Sequence, residues 1–299
     1  MFDFVKQFTI SNNVSISGIG LHTGNKINII FRPASEGSGV IFRRIDLRCV
    51  VDIYAVVSNV VSTSFSTSLM NNRACVNTVE HLLSAIFAIG IDNIIVDLDG
   101  DEIPILDGSS YPFIFLFNSV GLREQCYSRT FLKIKKSIIY KSGSDKYAII
   151  KPYNGFKISL NLNFREFFFD NVDMLLSFVF SKSSYIVDIS RARTFGFIND
   201  YEFFKSKSLA RGANLNNVII LNRDFIFNEY LVRYKSEILR HKVLDACGDL
   251  FLLGKRILGS FYGFRSGHTV NIMLLDYLLK DEDSYELIKC SKSECDFIL

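Results

Sequence analysis

The chain has 299 residues, 48% of them hydrophobic and 22% charged. That is enough apolar side chain to bury real cores and too little charge for a disordered polymer. The net charge of +3 balances 34 basic against 31 acidic residues mixed along the sequence, without the basic stripe that nucleic-acid binding needs. At this length, the usual domain size of roughly 100–200 residues leads us to expect two compact units. The N-terminus MFDFVKQFTISNN lacks a basic start, a long apolar stretch and a small-residue cleavage site, so it does not read as a signal peptide. Apolar runs such as Phe167–Phe169 and Phe178–Phe180 fall far short of the roughly 20 residues that cross a bilayer. A cytoplasmic protein with no integral membrane segment is expected. Six scattered cysteines without a CxxC pair fit reduced thiols.

Residues 8–60 alternate as short strands, FTISNNVSISGIG, NKINIIFRP, GVIFRRI and RCVVDIYAVV, broken by glycine-rich turns. A helix follows in NTVEHLLSAIFAIG, where Val79, Leu82, Leu83 and Ile86 repeat at helical spacing and Gly90 supplies a stop. Asn77 and Glu80 resemble a capping pair at its start. Then come the apolar strand DNIIVDLDG, the turn-rich DEIPILDGSS and a second helix over Tyr111–Val120. Past a polar stretch at 121–129, new strand-like runs extend from Phe131 to Phe180, with turns at SGSD and PYNG. A long helical segment from about Glu229 to Gly254, a loop and another helix close the chain. Strands followed by helices, twice, argue for two α+β layers and against a doubly wound parallel sheet. The boundary is placed near Ser128, giving an N-terminal unit over 1–127 and a C-terminal unit over 128–299.

Only four histidines occur, and each sits beside other residues of catalytic potential. His241 and Asp245, spaced i, i+4, project from one face of a helix, as two ligands of one metal ion must. The apolar stripe Leu239, Val243, Ala246, Leu250 and Leu253 points away from them, so an exposed polar pair worth a few tenths of a kcal/mol is the alternative. His81 shares a helix face with Ser84, Ala85 and Ala88, all small enough to admit a close neighbour, and Glu80 adjoins it. Two imidazoles and a carboxylate are a set typical of catalytic zinc, which keeps a fourth position for water. Amide hydrolysis then needs a base and an acid, and Glu80 and His268 fit, each contributing on the order of 10²–10⁴ in rate. HExxH is absent, which disfavours a zincin-type protease. Periodicity alone does not bring these distant residues together.

Six ordered blocks, GIGLHTG at 18–24, TVEHLLSA at 78–85, GIDNIIVDLDGDEIPILDGSS at 90–110, SRARTFGF at 190–197, RHKVLDACGDL at 240–250 and SGH at 266–268, carry a resemblance across nearly the whole chain. The sequence resembles the UDP-3-O-acyl-N-acetylglucosamine deacetylases of lipid A biosynthesis in Gram-negative bacteria. The resemblance implies that His81, His241 and Asp245 bind zinc, with Fe²⁺ a substitute that this donor set also accepts. It further implies that Glu80 activates the water, that His268 protonates the leaving amine, and that Asp249 orients and charges His268. Thr194 would donate to the oxyanion, and Lys242 would stabilise the charged site. His22 matches a pocket histidine. The implied fold is two α+β domains with their helices packed between the sheets. A small βαβ insert at about 195–222 would form an apolar passage for the acyl chain, with Phe195, Ile198, Phe203, Phe204 and Leu209 supplying its surface. The expected partner is the acylated UDP-sugar alone, bound by a monomer.

Three departures from the family pattern stand out. Arg265 replaces a lysine three places before the SGH histidine, which keeps the charge toward a diphosphate but changes a point donor into a planar fork. NFREFFF at 163–169 departs from an Asn-His-Pro pattern, which bears on nucleotide contacts. Ser66-Thr67 stands where some relatives have Cys and Thr. Competing readings are a non-catalytic nucleotide-sugar or lipid-binding relative, which should lack a ligand, base or acid, and a zinc hydrolase for another N-acyl substrate. A structural metal site would normally be closed by four ligands, often cysteines.

Overall fold

The computed structural model describes residues 4–163, 174–223 and 225–292. The strands of the first half are β1 (Lys6–Ile10), β2 (Val14–Ile19), β3 (Lys26–Pro33), β4 (Val40–Arg44), β5 (Val51–Tyr54), β6 (Val60–Ser62), β7 (Ser68–Asn71) and β8 (Ala74–Val76). Helix α1 (Glu80–Ile89), β9 (Ile94–Leu98), α2 (Tyr111–Val120) and β10 (Leu122–Ser128) complete it. The second half runs β11 (Phe131–Ile134), β12 (Ile138–Ser142), β13 (Lys146–Lys151), β14 (Phe156–Asn161), β15 (Leu175–Val179), α3 (Lys182–Asp188), β16 (Phe195–Phe197), α4 (Tyr201–Ser206) and β17 (Ile219–Leu221). It ends with α5 (Glu237–Phe251), β18 (Arg256–Phe264), α6 (His268–Lys280) and β19 (Tyr285–Ile288).

The architecture is α+β, as the element order predicted. One sheet has the order β2-β3-β9-β4-β5, with only β4 and β9 parallel. A second runs β12-β13-β18-β11-β19, with β14 also beside β18 and β15 beyond it. Along β3 and β14 buried and more exposed residues alternate, and along β2 half-buried and exposed ones do, so each strand turns one face inward. The helices lie against those inward faces. All ten residues of α1 and thirteen of the fifteen in α5 are buried, the pattern of helices enclosed between layers. Burial of Leu82, Leu83 and Ile86 alone contributes about 1.5–3 kcal/mol apiece.

Helices α1 and α5 pack directly on each other. The approach depends on Gly248, where a Cβ would lie 2.1 Å from the Glu80 carbonyl oxygen. This contact sets the start of α1 against the middle of α5 and so fixes the distance between the Glu80-His81 and His241-Asp245 pairs. Beside them β16 and β17 pair in parallel with α4 between. Gly108, at φ +86°, lets the 105–110 turn touch this unit, since a Cβ there would meet the Asn217 carbonyl.

Three local expectations need correction. The segment from Glu229 is not one helix: residues 229–231 form a short 3-10 turn, and α5 begins at Glu237, whose carboxylate accepts the Arg233 N–H and turns the chain. Asn77 and Glu80 do not cap α1. Asn77 donates to the Asp101 carbonyl, and the Glu80 side chain instead accepts the Thr67 N–H. The His241/Asp245 face is not solvent-exposed, because α5 is enclosed on nearly every side. Of the NFREFFF segment, residues beyond Asn163 lie outside the described residues, as does Cys295; the other five cysteines are free.

Candidate active site

His81, in the first turn of α1, meets His241 and Asp245 from α5 with ring centroids of the two histidines 4.8 Å apart. One ligand atom from each of the three lies within 4.8 Å of the others. All three residues are buried. His241 Nδ1 donates to the Ala192 carbonyl at 3.0 Å, which fixes the tautomer and leaves Nε2 with its lone pair free. Burial, ahead of the charges around it, pushes the His241 pKa down to about 3, so the ring is neutral at pH 7. That lone pair faces Asp245 Oδ1 at 3.2 Å, and His81 Nε2 lies 3.5 Å from the same oxygen. Asp245 Oδ1 has no hydrogen-bond partner.

Burial works against a charged Asp245, yet its contacts with His241 and the Lys242 ammonium hold its carboxyl well below the usual carboxylate range. Lys242 Nζ donates to Asp245 Oδ2 at 2.7 Å, which leaves Oδ1 to the histidines. A buried carboxylate oxygen opposed by an imidazole lone pair costs free energy unless a cation sits between them. The donor set therefore fits a divalent metal, with nitrogen and oxygen ligands and room for a further one.

Beside this centre, His268 Nε2 lies 3.8 Å from Glu80 Oε1. The other nitrogen, Nδ1, lies 2.9 Å from Asp249 Oδ2. Burial would lower the His268 pKa, but the Asp249 charge and hydrogen bond outweigh it and push the group up to about 9. Burial raises the Glu80 pKa, with His268 and His81 partly opposing. Two residues missed by motif reading hold this pair. Thr67 donates its N–H to Glu80 Oε2 at 3.1 Å and its hydroxyl to Asp249 Oδ1 at 2.7 Å. Asn271 donates to Asp249 Oδ2 at 2.9 Å. Thr67 immediately precedes β7 and appears in the sequence reading only as the neighbour of the Ser66 departure; Asn271 carries no signal beyond its spacing from His268.

The remaining predicted residues fall into two groups. Thr194, Phe195 and His22 line a cavity of about 680 Å³ with Ile198, Phe204 and Leu209. The Phe195 ring stands 6.2 Å from that of His241, so this cavity adjoins the three-ligand centre. Both His22 ring nitrogens are buried without a partner, and burial, opposed by Glu102, lowers its pKa. Phe203 is outside this lining and packs on Phe65 at 5.8 Å. Arg265 is set apart: it donates to Asp145 Oδ2 at 2.5 Å, its side chain 28% exposed.

A cation-sized gap among two imidazoles and a carboxylate, with an acid–base pair at its edge and an apolar cavity alongside, is the arrangement of a metal-assisted hydrolase. Comparison with known proteins agrees. The family model LpxC, UDP-3-O-acyl N-acetylglycosamine deacetylase, matches residues 7–280. Among named relatives, the UDP-3-O-acyl-N-acetylglucosamine deacetylase of Teredinibacter turnerae is 43% identical over 290 residues, covering 97% of this chain and 95% of its own. That of Coxiella burnetii is 44% identical over 284 residues, covering 95% and 93%, and that of Saccharophagus degradans is 42% identical over 290, covering 97% and 95%. The chain belongs to the UDP-3-O-acyl N-acetylglycosamine deacetylase family. No helix among the described residues is long and apolar enough to cross a membrane.

Proposed function

We propose that this chain hydrolyses the N-acetyl amide of UDP-3-O-acyl-N-acetylglucosamine, releasing acetate and UDP-3-O-acyl-glucosamine on the route to lipid A. The observation that carries the reading is the unpartnered Asp245 Oδ1 facing the His241 lone pair, with the paired Glu80 and His268 close enough to act on it electrostatically. His81, His241 and Asp245 hold zinc, and Fe²⁺ is an alternative for the same donors. A zinc ion held by these three side chains would supply Lewis acidity to the amide carbonyl and to the attacking water.

Glu80, whose raised pKa strengthens it as a base, takes the proton of that water. His268, carried above neutrality by Asp249, enters the reaction protonated and gives its proton to the leaving amine. Thr194 donates its hydroxyl to the oxygen that gains charge as the carbonyl carbon becomes tetrahedral. Lys242 keeps Asp245 ionised and adds positive charge near the same oxygen. Burial pushes against the Lys242 charge, but Asp245 more than compensates and raises its pKa.

The acyl chain runs into the cavity bounded by Phe195, Ile198, Phe204 and Leu209, with His22 at the polar end of its wall. Arg265 contacts the diphosphate by exchanging Asp145 for it. The domains divide at 1–127 and 128–299, with the insert at 195–222 forming the passage, and the protein works as a cytoplasmic monomer. Acetate release from the acylated UDP-sugar tests the reading with protein as isolated, after chelation, after zinc return, and as Glu80→Ala. The expected result is loss on chelation, recovery with zinc and a fall of roughly 10²–10⁴ in the variant. Turnover that ignores chelation, or metal-loaded protein that releases no acetate, would refute it.

A further inference from the structure

Two groups in this chemistry, the His241 ligand and the Thr194 donor, hang on one buried ion pair that touches neither metal nor substrate. Arg193 and Glu237 are each 2% exposed. Arg193 donates from Nε to Glu237 Oε1 at 2.9 Å and from Nη2 to Oε2 at 3.4 Å, and its backbone N–H reaches Oε1 at 3.0 Å. The Arg233 N–H donates to Oε2 from the other side. Glu237 therefore receives four donors from two stretches of chain. It lies in the first turn of α5, where the positive end of the helix favours a carboxylate, and one turn before His241.

The residues flanking Arg193 give the pair its reach. Just before it, the Ala192 carbonyl accepts the proton of His241 Nδ1 at 3.0 Å. Just after it, Thr194 is tied through its N–H to the Gly108 carbonyl at 2.9 Å and through its carbonyl to the Ile219 N–H at 2.8 Å, with its side chain on the cavity wall. Three successive residues thus orient a metal ligand, anchor the segment on α5 and present a hydroxyl to the cavity. The anchor is the middle one.

Building on the function proposed above, we infer that Glu237, acting through Arg193, is a positioning residue that sets the His241 imidazole and the Thr194 hydroxyl together. Removing the Glu237 charge strands the Arg193 guanidinium as a buried cation without a counter-ion. The segment must then shift to hydrate it, carrying the Ala192 carbonyl off His241 and Thr194 off the cavity wall. Groups that hold a metal-bound histidine in this way typically alter metal affinity by roughly 10–100-fold when lost.

The test compares Glu237→Gln with Arg129→Gln, which breaks the pair of the buried Arg129 with the half-buried Asp92, a pair making no contact with residues 192–194 among the hydrogen bonds and ion pairs of the described residues. Zinc affinity is measured by returning zinc to metal-free protein in competition with a chelator, and kcat and KM are measured for acetate release at saturating zinc. Glu237→Gln is expected to bind zinc roughly 10–100-fold more weakly and to lose kcat with little change in KM. Arg129→Gln is expected to lose thermal stability while keeping both quantities. If Glu237→Gln does not fold, Arg193→Lys, which keeps the charge but not the fork, should show the same pattern at smaller amplitude. Wild-type zinc affinity and kcat in the Glu237 or Arg193 variant, or an equal loss in the Arg129 control, would overturn the inference. Failure of the wild-type protein to bind zinc or release acetate would instead sink the function on which it rests.

Discussion

Replacing Asp249 with Asn should move the alkaline limb of the pH–rate profile. In the wild-type site burial depresses the His268 pKa, Asp249 and Glu80 raise it, Lys242 opposes them, and the balance stands at about 9. The Asp249→Asn variant keeps the burial and removes the main opposing charge, so His268 falls to its ordinary 6.5 or below. The limb should move toward acid by on the order of two pH units. At pH 7.5 His268 passes from mostly protonated to mostly neutral, predicting a roughly tenfold loss in kcat/KM at that pH. The deficit should shrink as the pH is lowered. The assay is kcat/KM for acetate release between pH 5.5 and 10, with zinc content checked at each point. The same change bears on stability. A folded pKa above the unfolded one stabilises the protein fully below about 6.5, and this contribution is lost as pH rises through about 9. The variant should therefore lose thermal stability at pH 6 and match the wild type near pH 10. An alkaline limb in the variant at the wild-type position would refute His268 as the acid charged by Asp249.

Thr194→Val, which keeps shape and removes the donor, should lower kcat by roughly 10²–10³ with KM little changed; an unaltered kcat would remove Thr194 from the reaction. Gly248→Ala should lower Tm and kcat together, because its Cβ meets the Glu80 carbonyl and must push α1 off α5. The cost is on the order of 1–3 kcal/mol, and a thermal melt like the wild type's would show that the close approach does not matter.

The α+β class and the helix faces bearing His81, His241 and Asp245 are legible in the sequence because side-chain periodicity records them. Their meeting is not, since no pattern within α1 or α5 encodes the distance between two helices far apart in the chain. Gly248 decides that distance, and in sequence it is one glycine inside a helical run. The Ala192 carbonyl orients His241 through a backbone atom that every residue possesses, so its position leaves no mark in residue type. Glu237 reads as the interior of a longer helix because the segment from Glu229 is rich in good helix formers; tertiary hydrogen bonds to its carboxylate override that preference. Only its place at a family lysine points Arg265 toward a diphosphate, and nothing in sequence points to Asp145 as its partner.

The contact between α1 and α5 also orders events during synthesis. His81 leaves the ribosome long before His241 and Asp245, and His268 follows later still. A chain stopped anywhere short of α5 holds only His81 of the three clustered donors. The three-donor cluster therefore exists only in chains whose two halves have already closed on each other.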